Sequence, residues 1–484
     1  AQADSVQVTV DPTPALIMSD RTVGSGLQEA TSLSLGEALP AGDTVTIPSS
    51  DPSVLLAPDP TTVGSDTLHL TGGTTFFTFY IQAVEGFTGA ATLEASSPRY
   101  LSTQQTATVV APGVRIRSVL SAMTTLGNND IIWADIGPES GSGSLLDLQQ
   151  IRAGGSPLTV NFISTNNAVA TLVTTAETGD TVTAVIPAGA SNTPTTLAGG
   201  GVEVDPLSVG TSDIYVEAAG YISVDTSTVT VSAPAITTSN RTLASGLQTP
   251  LSFSLGAPLP ANDTVTITSS DPNILLAPDA TTMGADTLRV TGVSTFFTVY
   301  VQALENFTGS ATVEANAPGF TSGEATMTVV QPGVRIRSVP TSTTTLANND
   351  VIWADVGPTN GAGSLTQLQQ VRAGGQPLTV TFITTNASVA ALVTSDEAGD
   401  TVTAEIQPSF QNTPTSLATG GVELDPMSAG TSDVYVEAVG YISVDTTLVT
   451  VTAPGMTMAN RTVGSGLQDF SAVPLGATLP ANDP

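Results

Sequence analysis

The chain has no cysteine and no lysine. The first absence removes disulfides, thiolate metal sites and thiol nucleophiles. The second removes the amine needed for a Lys–Asn isopeptide bond or for lysine-linked polymerisation. All eleven basic residues are arginine, and against 42 acidic ones they leave a formal net charge of −31. So negative a surface repels nucleic acid and anionic lipid, since phosphate recognition depends on Lys and Arg. It stays soluble in salty water, where charges are screened within roughly 8 Å, and it can collect divalent cations. Histidine is nearly absent too: His69 stands alone, and the matching position of a second repeat is Arg289. A Ser-His-Asp or histidine–metal site has no partner histidine to use, so His69 reads as an exposed strand residue. Long apolar runs are missing, which excludes a bilayer-spanning helix and predicts no membrane insertion in this segment. The first thirty residues lack a basic start followed by an apolar stretch, so no signal peptide is expected within them.

What is present is Thr, Val, Ser, Ala and Gly, with 32 prolines, a mixture that favours strands and tight turns. Hydrophobic residues at 40% supply cores, and 484 residues suit several sandwiches of about 100 residues each.

The chain is also periodic. Asp20-Arg21-Thr22-Val23-Gly24-Ser25-Gly26-Leu27-Gln28 returns at Asn240–Gln248 and again at Asn460–Gln468, a spacing of 220 residues each time. Gly113 and Gly333 open two copies of GVRIRSV, and Trp133 matches Trp353. Two full periods are followed by 44 residues. Val8-Thr9-Val10 corresponds to the closing Val229-Thr230-Val231, and Pro484 falls where the third copy would begin its next strand. Two readings fit. The chain is a window on a longer array, which is favoured because the motif runs through both ends without degenerate caps, or neighbouring chains complete its ends by strand addition.

Each period divides into two unlike modules. The expected boundaries are 1–13 (a closing strand), 14–111 and 112–233 (copy one), 234–331 and 332–453 (copy two), and 454–484 (a partial third copy). In module one of copy two, strands are predicted at Leu251–Leu255, Thr264–Thr268, Ile274–Leu276, Thr287–Val290, Phe296–Gln302, Ala311–Ala315 and Ala325–Val330. Val265 and Ile267 alternate with Thr264, Thr266 and Thr268, the period of a strand with one buried face. Module two holds VRIRS, DVIWADV, PLTVTFITT, SVAALVT, DTVTAEI, GVELD, DVYVEAV and LVTVTA. Its looser stretch Gly357–Gln370 reads as a short helical turn or an extended loop. Short joints such as Val330-Gln331-Pro332-Gly333-Val334 allow little bending, so the expectation is all-β, tandem immunoglobulin-like sandwiches end to end in a rod of roughly 140 Å.

The text resembles the tandem Ig-like repeats of bacterial giant extracellular surface proteins and adhesins. Leu255-Gly256-Ala257-Pro258-Leu259-Pro260 with Thr264–Pro272 is similar to their opening half. Thr384-Thr385-Asn386-Ala387-Ser388-Val389-Ala390 is similar to their SSNPSVA element. Asp425–Thr431 with Val436-Glu437-Ala438-Val439-Gly440-Tyr441 is similar to their late GTxxVTAxAxGY strand. The resemblance covers essentially the whole chain and implies an extracellular, bacterial, cell-surface setting. Such domains serve as spacers, adhesin stalks and filament subunits alike. The lack of lysine sets this chain apart from relatives with isopeptide cross-links.

Candidate sites are few. Asp130 and Asp135 flank Trp133, as Asp350 and Asp355 flank Trp353. Glu203, Asp205, Asp213 and Glu217 recur as Glu423, Asp425, Asp433 and Glu437. A glycosidase pair needs a sugar groove, which stiff sandwiches with few aromatics rarely provide, so no catalytic or cofactor residue is assigned and the chain reads as non-enzymatic. Ca²⁺ is the one possible cofactor, with Asn128-Asn129-Asp130 as its best loop, against a reading of Asx turns and solvated faces; no metal ligand is assigned. Trp133 and Trp353 read as core packing. Arg115/Arg117 and Arg335/Arg337 are expected to meet acidic residues across the module junction or on a neighbouring chain. Sequons at Asn240, Asn262, Asn306, Asn386 and Asn460 arise readily by chance in such text. The expected role is a structural fibre or filament whose partners are further copies of the repeat. The alternative is an adhesin recognising carbohydrate or protein through loops such as Gly357–Ser364.

Overall fold

The computed structural model describes residues 13–360 and 362–476. The lone strand expected at Val8–Val10 and the last residues of the partial third copy lie outside the described residues. The chain separates into two compact units, Ala1–Ala233 and Pro234–Pro484. Each is built from two β-sandwiches, and we describe the first in detail.

Its first sandwich contains β1 (Leu16–Ile17), β2 (Arg21–Gly24), β3 (Leu27–Leu35), β4 (Thr44–Pro48), β5 (Val54–Ala57), β6 (Thr67–Thr71), β7 (Phe76–Ala83), β8 (Gly89–Ala95) and β9 (Thr103–Val110). One sheet runs β1-β3-β7-β5. The other runs β2-β9-β8 and continues through bridges Thr46–Ser96 and Ser49–Leu93 to the β4–β6 pair. The opening segment therefore changes sheets. β1 pairs antiparallel with β3, then β2 crosses over to run parallel to β9. Asp20 sits at the crossing, where its Oδ1 accepts the Thr106 amide at 2.7 Å.

The second sandwich contains β10 (Pro112–Arg117), β11 (Ala122–Thr124), β12 (Asp130–Pro138), β13 (Gln150–Ile151), β14 (Leu158–Ser164), β15 (Ala170–Val173), β16 (Thr178–Gly179), β17 (Thr181–Ile186), β18 (Val202–Pro206), β19 (Gly210–Ala218), β20 (Ile222–Ser223) and β21 (Thr226–Ser232). Its sheets run β16-β15-β18-β12-β10-β20 and β11-β21-β19-β14-β17. Here too the opening strands run parallel to the closing ones, β10 to β20 and β11 to β21. A 3₁₀ turn at Leu197–Gly199, capped by the Thr196 side chain, joins β17 to β18.

Alternation places Val160, Phe162, Ile214, Val216, Val229 and Ile132 in the core, all fully buried. Every strand predicted for module one of the second copy falls within an observed strand. The same parity corrects the tryptophans. Val114, Ile116, Ala134 and Ile136 face inward on β10 and β12, so Arg117 and its register partner Trp133 must face outward. Trp133 and Trp353 are half-buried on the outer face of a sheet and do not belong to the core.

The arginine pairs need correction for the same reason. Arg115 lies opposite Asp135 within one sandwich, and Asp135 Oδ2 takes both Arg115 at 3.3 Å and Arg117 at 3.6 Å. Arg335 and Arg337 converge on Asp355 in the same way. The partner is a strand neighbour, not a group across the junction. Asp225 closes the cluster by accepting the Ile116 amide at 2.8 Å. Burial raises its carboxyl pKa, and that hydrogen bond and the two guanidinium groups counter the shift.

The two copies fill their first cores differently. In the first, Thr31 lies opposite Phe79; in the second, Leu251 lies opposite Val299. A small–large pair has been exchanged for two medium residues, which conserves volume. Copy one also buries Gln105 with neither end of its amide hydrogen-bonded, where copy two has Ala325. A buried unpaired amide is costly, so Gln105→Met, close in shape and without the polar atoms, should raise the stability of the first unit by about 1–3 kcal/mol. Urea unfolding of the full chain checks this, and an unchanged or lowered midpoint for the first unit would count against it.

Candidate functional site

The stretch expected to be a loose loop or helical turn is an ordered extended arm that joins the two sandwiches of each unit. After β12 the chain doubles back, and the Leu146 amide bonds the Pro138 carbonyl at 2.9 Å. The return passes so close to β12 that a Cβ on Gly137 would overlap the Asp147 carbonyl oxygen; Gly357 meets Gln367 in the same way. Only glycine fits there. The arm then leaves its own sandwich, and β13 pairs antiparallel with β3 of the first, Gln150 against Gln28 and Ile151 against Leu27.

Three buried glutamines fix this contact. Gln149 accepts the Gly24 amide at 2.9 Å and donates to the Thr22 carbonyl at 2.8 Å. Gln28 donates to the Pro60 carbonyl at 2.8 Å and to Gln150 at 3.2 Å. Its oxygen accepts from Gln82 at 3.0 Å and from the Ala153 amide, also at 3.0 Å. Gln82 also bonds the Thr62 carbonyl and the Gly64 amide, each at 2.9 Å. The loop that provides these groups is held by Asp59, whose carboxylate accepts from the hydroxyls and amides of Thr61 and Thr62. Those bonds keep its pKa down at about 2.

Around the glutamines lies a second ring of contacts. The Arg152 amide bonds the Gly26 carbonyl at 3.2 Å, and its guanidinium reaches Glu85 at 2.6 Å. Glu85 is half-exposed, so this pair alone is worth only about 0–1 kcal/mol. The Tyr221 ring packs on the core beside it. Burial first, and then the Glu85 charge, push its phenol up to about 12. These groups border an open cleft of about 630 Å³ lined by Ser25, Glu85, Arg152, Ser156, Pro157 and Tyr221.

Every part recurs 220 residues on. Gln369 spans Ala244 and Thr242, and Gln248 spans Ala280, Gln370, Gln302 and Ala373. Arg372 grips Glu305 in bidentate fashion at 2.9 and 2.8 Å. The matching cleft measures about 600 Å³. Ala244 and Leu247 of the first sandwich belong to the same buried cluster as the core of the second.

The residues singled out from sequence lie elsewhere. His69 is exposed on β6, its ring nitrogen 3.1 Å from the Thr46 hydroxyl. Asn129 donates to Glu203 at 3.1 Å, and Asp130 accepts the Leu120 amide at 3.0 Å. Asp213 accepts the Thr228 hydroxyl at 2.6 Å. Asp205 and Glu217 lie on outward strand faces. Among the described residues no three His, Asp or Glu side chains gather as a metal site, and no helix is long and apolar enough to cross a membrane. The glutamines, Arg152, Glu85 and Tyr221 were missed. The available signal was the heptapeptide Gln149–Gly155, which returns as Gln369–Gly375 with one Ile–Val change.

No protein-family model matches the chain, and no curated protein matches it. Solved structures resemble it in fold. An I-band fragment of titin aligns over 66% of this chain and 99% of its own, at 11% identity and a TM-score of 0.18. Adhesin InvE of Yersinia pseudotuberculosis aligns over 45% of this chain and 58% of its own, at 16% identity and 0.18. The N-terminal eight Ig domains of Down Syndrome Cell Adhesion Molecule align over 91% of this chain and 55% of their own, at 10% identity and 0.16. Such values add nothing to the strand order, which is itself that of an all-β chain built of tandem immunoglobulin-like sandwiches.

Two measurements test the joint. Gln28→Ala leaves the Ala153 amide and Pro60 carbonyl unpaired and should cost the first unit about 2–3 kcal/mol, read as a fall in its urea midpoint. Alkali acts through Tyr221. Its folded pKa lies above the unfolded value of 10.0, so its contribution is complete below pH 10 and is lost as pH rises towards about 12. The loss amounts to about 2–3 kcal/mol. The dependence of the first unit should weaken in Tyr221→Phe, with Tyr100 and, in the second unit, Tyr441 shifted in the same direction; an unchanged slope for the first unit between pH 10 and 12 in that variant would exclude Tyr221 as a source.

Proposed function

We propose that the chain is a non-enzymatic segment of an extracellular bacterial surface fibre, in which clasped pairs of sandwiches are the stiff repeating element. The observation that carries this reading is the duplicated joint. Gln28, Gln82, Gln149, Arg152, Glu85 and Tyr221 all return in the second unit with partners at corresponding positions. A joint repeated with that fidelity serves a chain that must not bend between paired modules.

The strand order suits load. In each sandwich an opening strand runs parallel to the closing one. Tension applied through the two ends therefore pulls along the ladder and strains its hydrogen bonds together. The absence of lysine leaves packing and these joints to do what covalent cross-links do in other fibres. The alternative, a ligand-binding adhesin, was placed in the Gly357–Ser364 loop. There Asn360 Oδ1 is engaged by the Ala362 and Ser364 amides, so a ligand site is better sought in the paired clefts.

Stiffness can be measured directly, because a chain without cysteine accepts labels only where they are introduced. Spin labels at Thr92→Cys and Thr226→Cys report the two sandwiches of the first unit. Their distance distribution should be narrow and should broaden at least twofold in Gln28→Ala/Arg152→Ala. A distribution equally narrow in that variant would remove the joint as the source of stiffness. Globular particles in negative-stain micrographs of native material would sink the fibre reading itself.

A further inference from the structure

β17 is the outer strand of its sheet and pairs on one side only, with β14. Val182, Ala184 and Ile186 face the core, while Thr181, Thr183 and Val185 are exposed. In an antiparallel pair alternate amides point away from the partner, so this edge presents a row of free donors. Its sequence, Thr-Val-Thr-Ala-Val-Ile, is β-branched except at Ala184, uncharged and free of proline. Such an edge is a template for strand addition by another chain. Lysine, a common guard at edges, is absent from this protein.

The middle slot of that edge is already filled. Glu177 Oε1 accepts the Thr183 amide at 2.7 Å and the Thr183 hydroxyl at 3.0 Å. The glutamate is held ready by its turn. The Thr174 amide bonds the Glu177 carbonyl at 2.8 Å, and the Thr174 hydroxyl oxygen accepts the Glu177 amide at 3.0 Å. The carboxylate thus comes from the turn between β15 and β16, strands of the facing sheet. The second unit repeats the device. Glu397 Oε1 accepts the Thr403 amide at 3.0 Å, and Thr394 shapes its turn.

We propose that Glu177 and Glu397 are edge plugs that prevent a second copy of this chain from pairing with it through β17 and its counterpart Thr401–Ile406. An incoming strand must offer a carbonyl to the Thr183 amide, and it can do so only by displacing a carboxylate that makes a stronger, charge-assisted bond. The two edges differ in one further respect. Position 185 is an exposed valine, whereas position 405 is a glutamate. The second edge therefore carries an additional charge, and the first depends more heavily on its plug. This inference holds whether or not the chain belongs to a fibre.

The test uses the full chain and compares sedimentation across a concentration series with amide exchange at Thr183. Glu177→Ala should self-associate at least tenfold more strongly than the unaltered chain, and in dilute solution its Thr183 amide should exchange about tenfold faster, the equivalent of one hydrogen bond of about 1.4 kcal/mol. Glu397→Ala should associate less than Glu177→Ala. Glu177→Gln retains an acceptor oxygen without the charge and should fall between the unaltered chain and Glu177→Ala. Adding Val185→Lys to Glu177→Ala should abolish the association. Since Glu177 and Val185 are exposed, the variants should remain folded, with a melting temperature lowered by no more than the loss of that local bond. The proposal is overturned if Glu177→Ala neither associates nor loses protection, if Glu177→Gln associates as alanine does, or if Val185→Lys leaves the association intact.

Discussion

The geometry of each unit depends on one carboxamide. Gln28, and Gln248 in the second unit, is buried where two sandwiches and a loop converge, and its hydrogen bonds reach three separate segments. A buried amide must be satisfied or it destabilises the fold. That requirement makes the position of the loop at Pro60, the strand end at Gln82 and the arm at Ala153 mutually dependent. Apolar contact between Leu27 and Ile151 supplies area, but such contact tolerates sliding. The directional bonds of the glutamine do not. Specificity of the joint therefore lies in the polar groups, and the apolar residues around them keep water from competing.

Much of this architecture was legible in the sequence, for physical reasons that also mark where legibility ends. A strand with one buried face has a period of two, so Val265 and Ile267 announce their sheet without reference to anything distant. Parity counted through the buried Ile132, Ala134 and Ile136 turns Trp133 outward, so strand position outweighs the bulk that suggests a core residue. The arginines of β10 were placed on the correct face, but their acid was sought too far away. Asp135 is two residues from Trp133 and directly across the ladder from Arg115.

The joint was hidden for a different cause. Residues 139–157 are rich in Gly and Ser, which is the composition of a loop whether it floats or docks. Nothing local distinguishes the two. Its partners at Gly24 and Gln28 lie 122 to 125 residues away. What repetition does reveal is selection at the level of the copy. The arm's opening differs between copies, whereas the glutamines and arginine that touch the neighbouring sandwich do not.

The charge distribution follows from the same division of labour. Most of the acidic excess is solvated, yet a few carboxylates have definite tasks. Asp135 binds two guanidinium groups across a sheet face, Asp59 shapes the loop that meets the arm, and Glu177 occupies a strand edge. An exposed backbone donor needs an acceptor, and a carboxylate is the strongest acceptor available. Net negative charge alone acts weakly against strand addition, because salt screens it within roughly a Debye length. A carboxylate bonded to the edge amide acts at contact distance, where screening has little effect. The repeat thus guards this edge with the resource its composition holds in excess, and the copy with an additional glutamate at position 405 shows a second use of it.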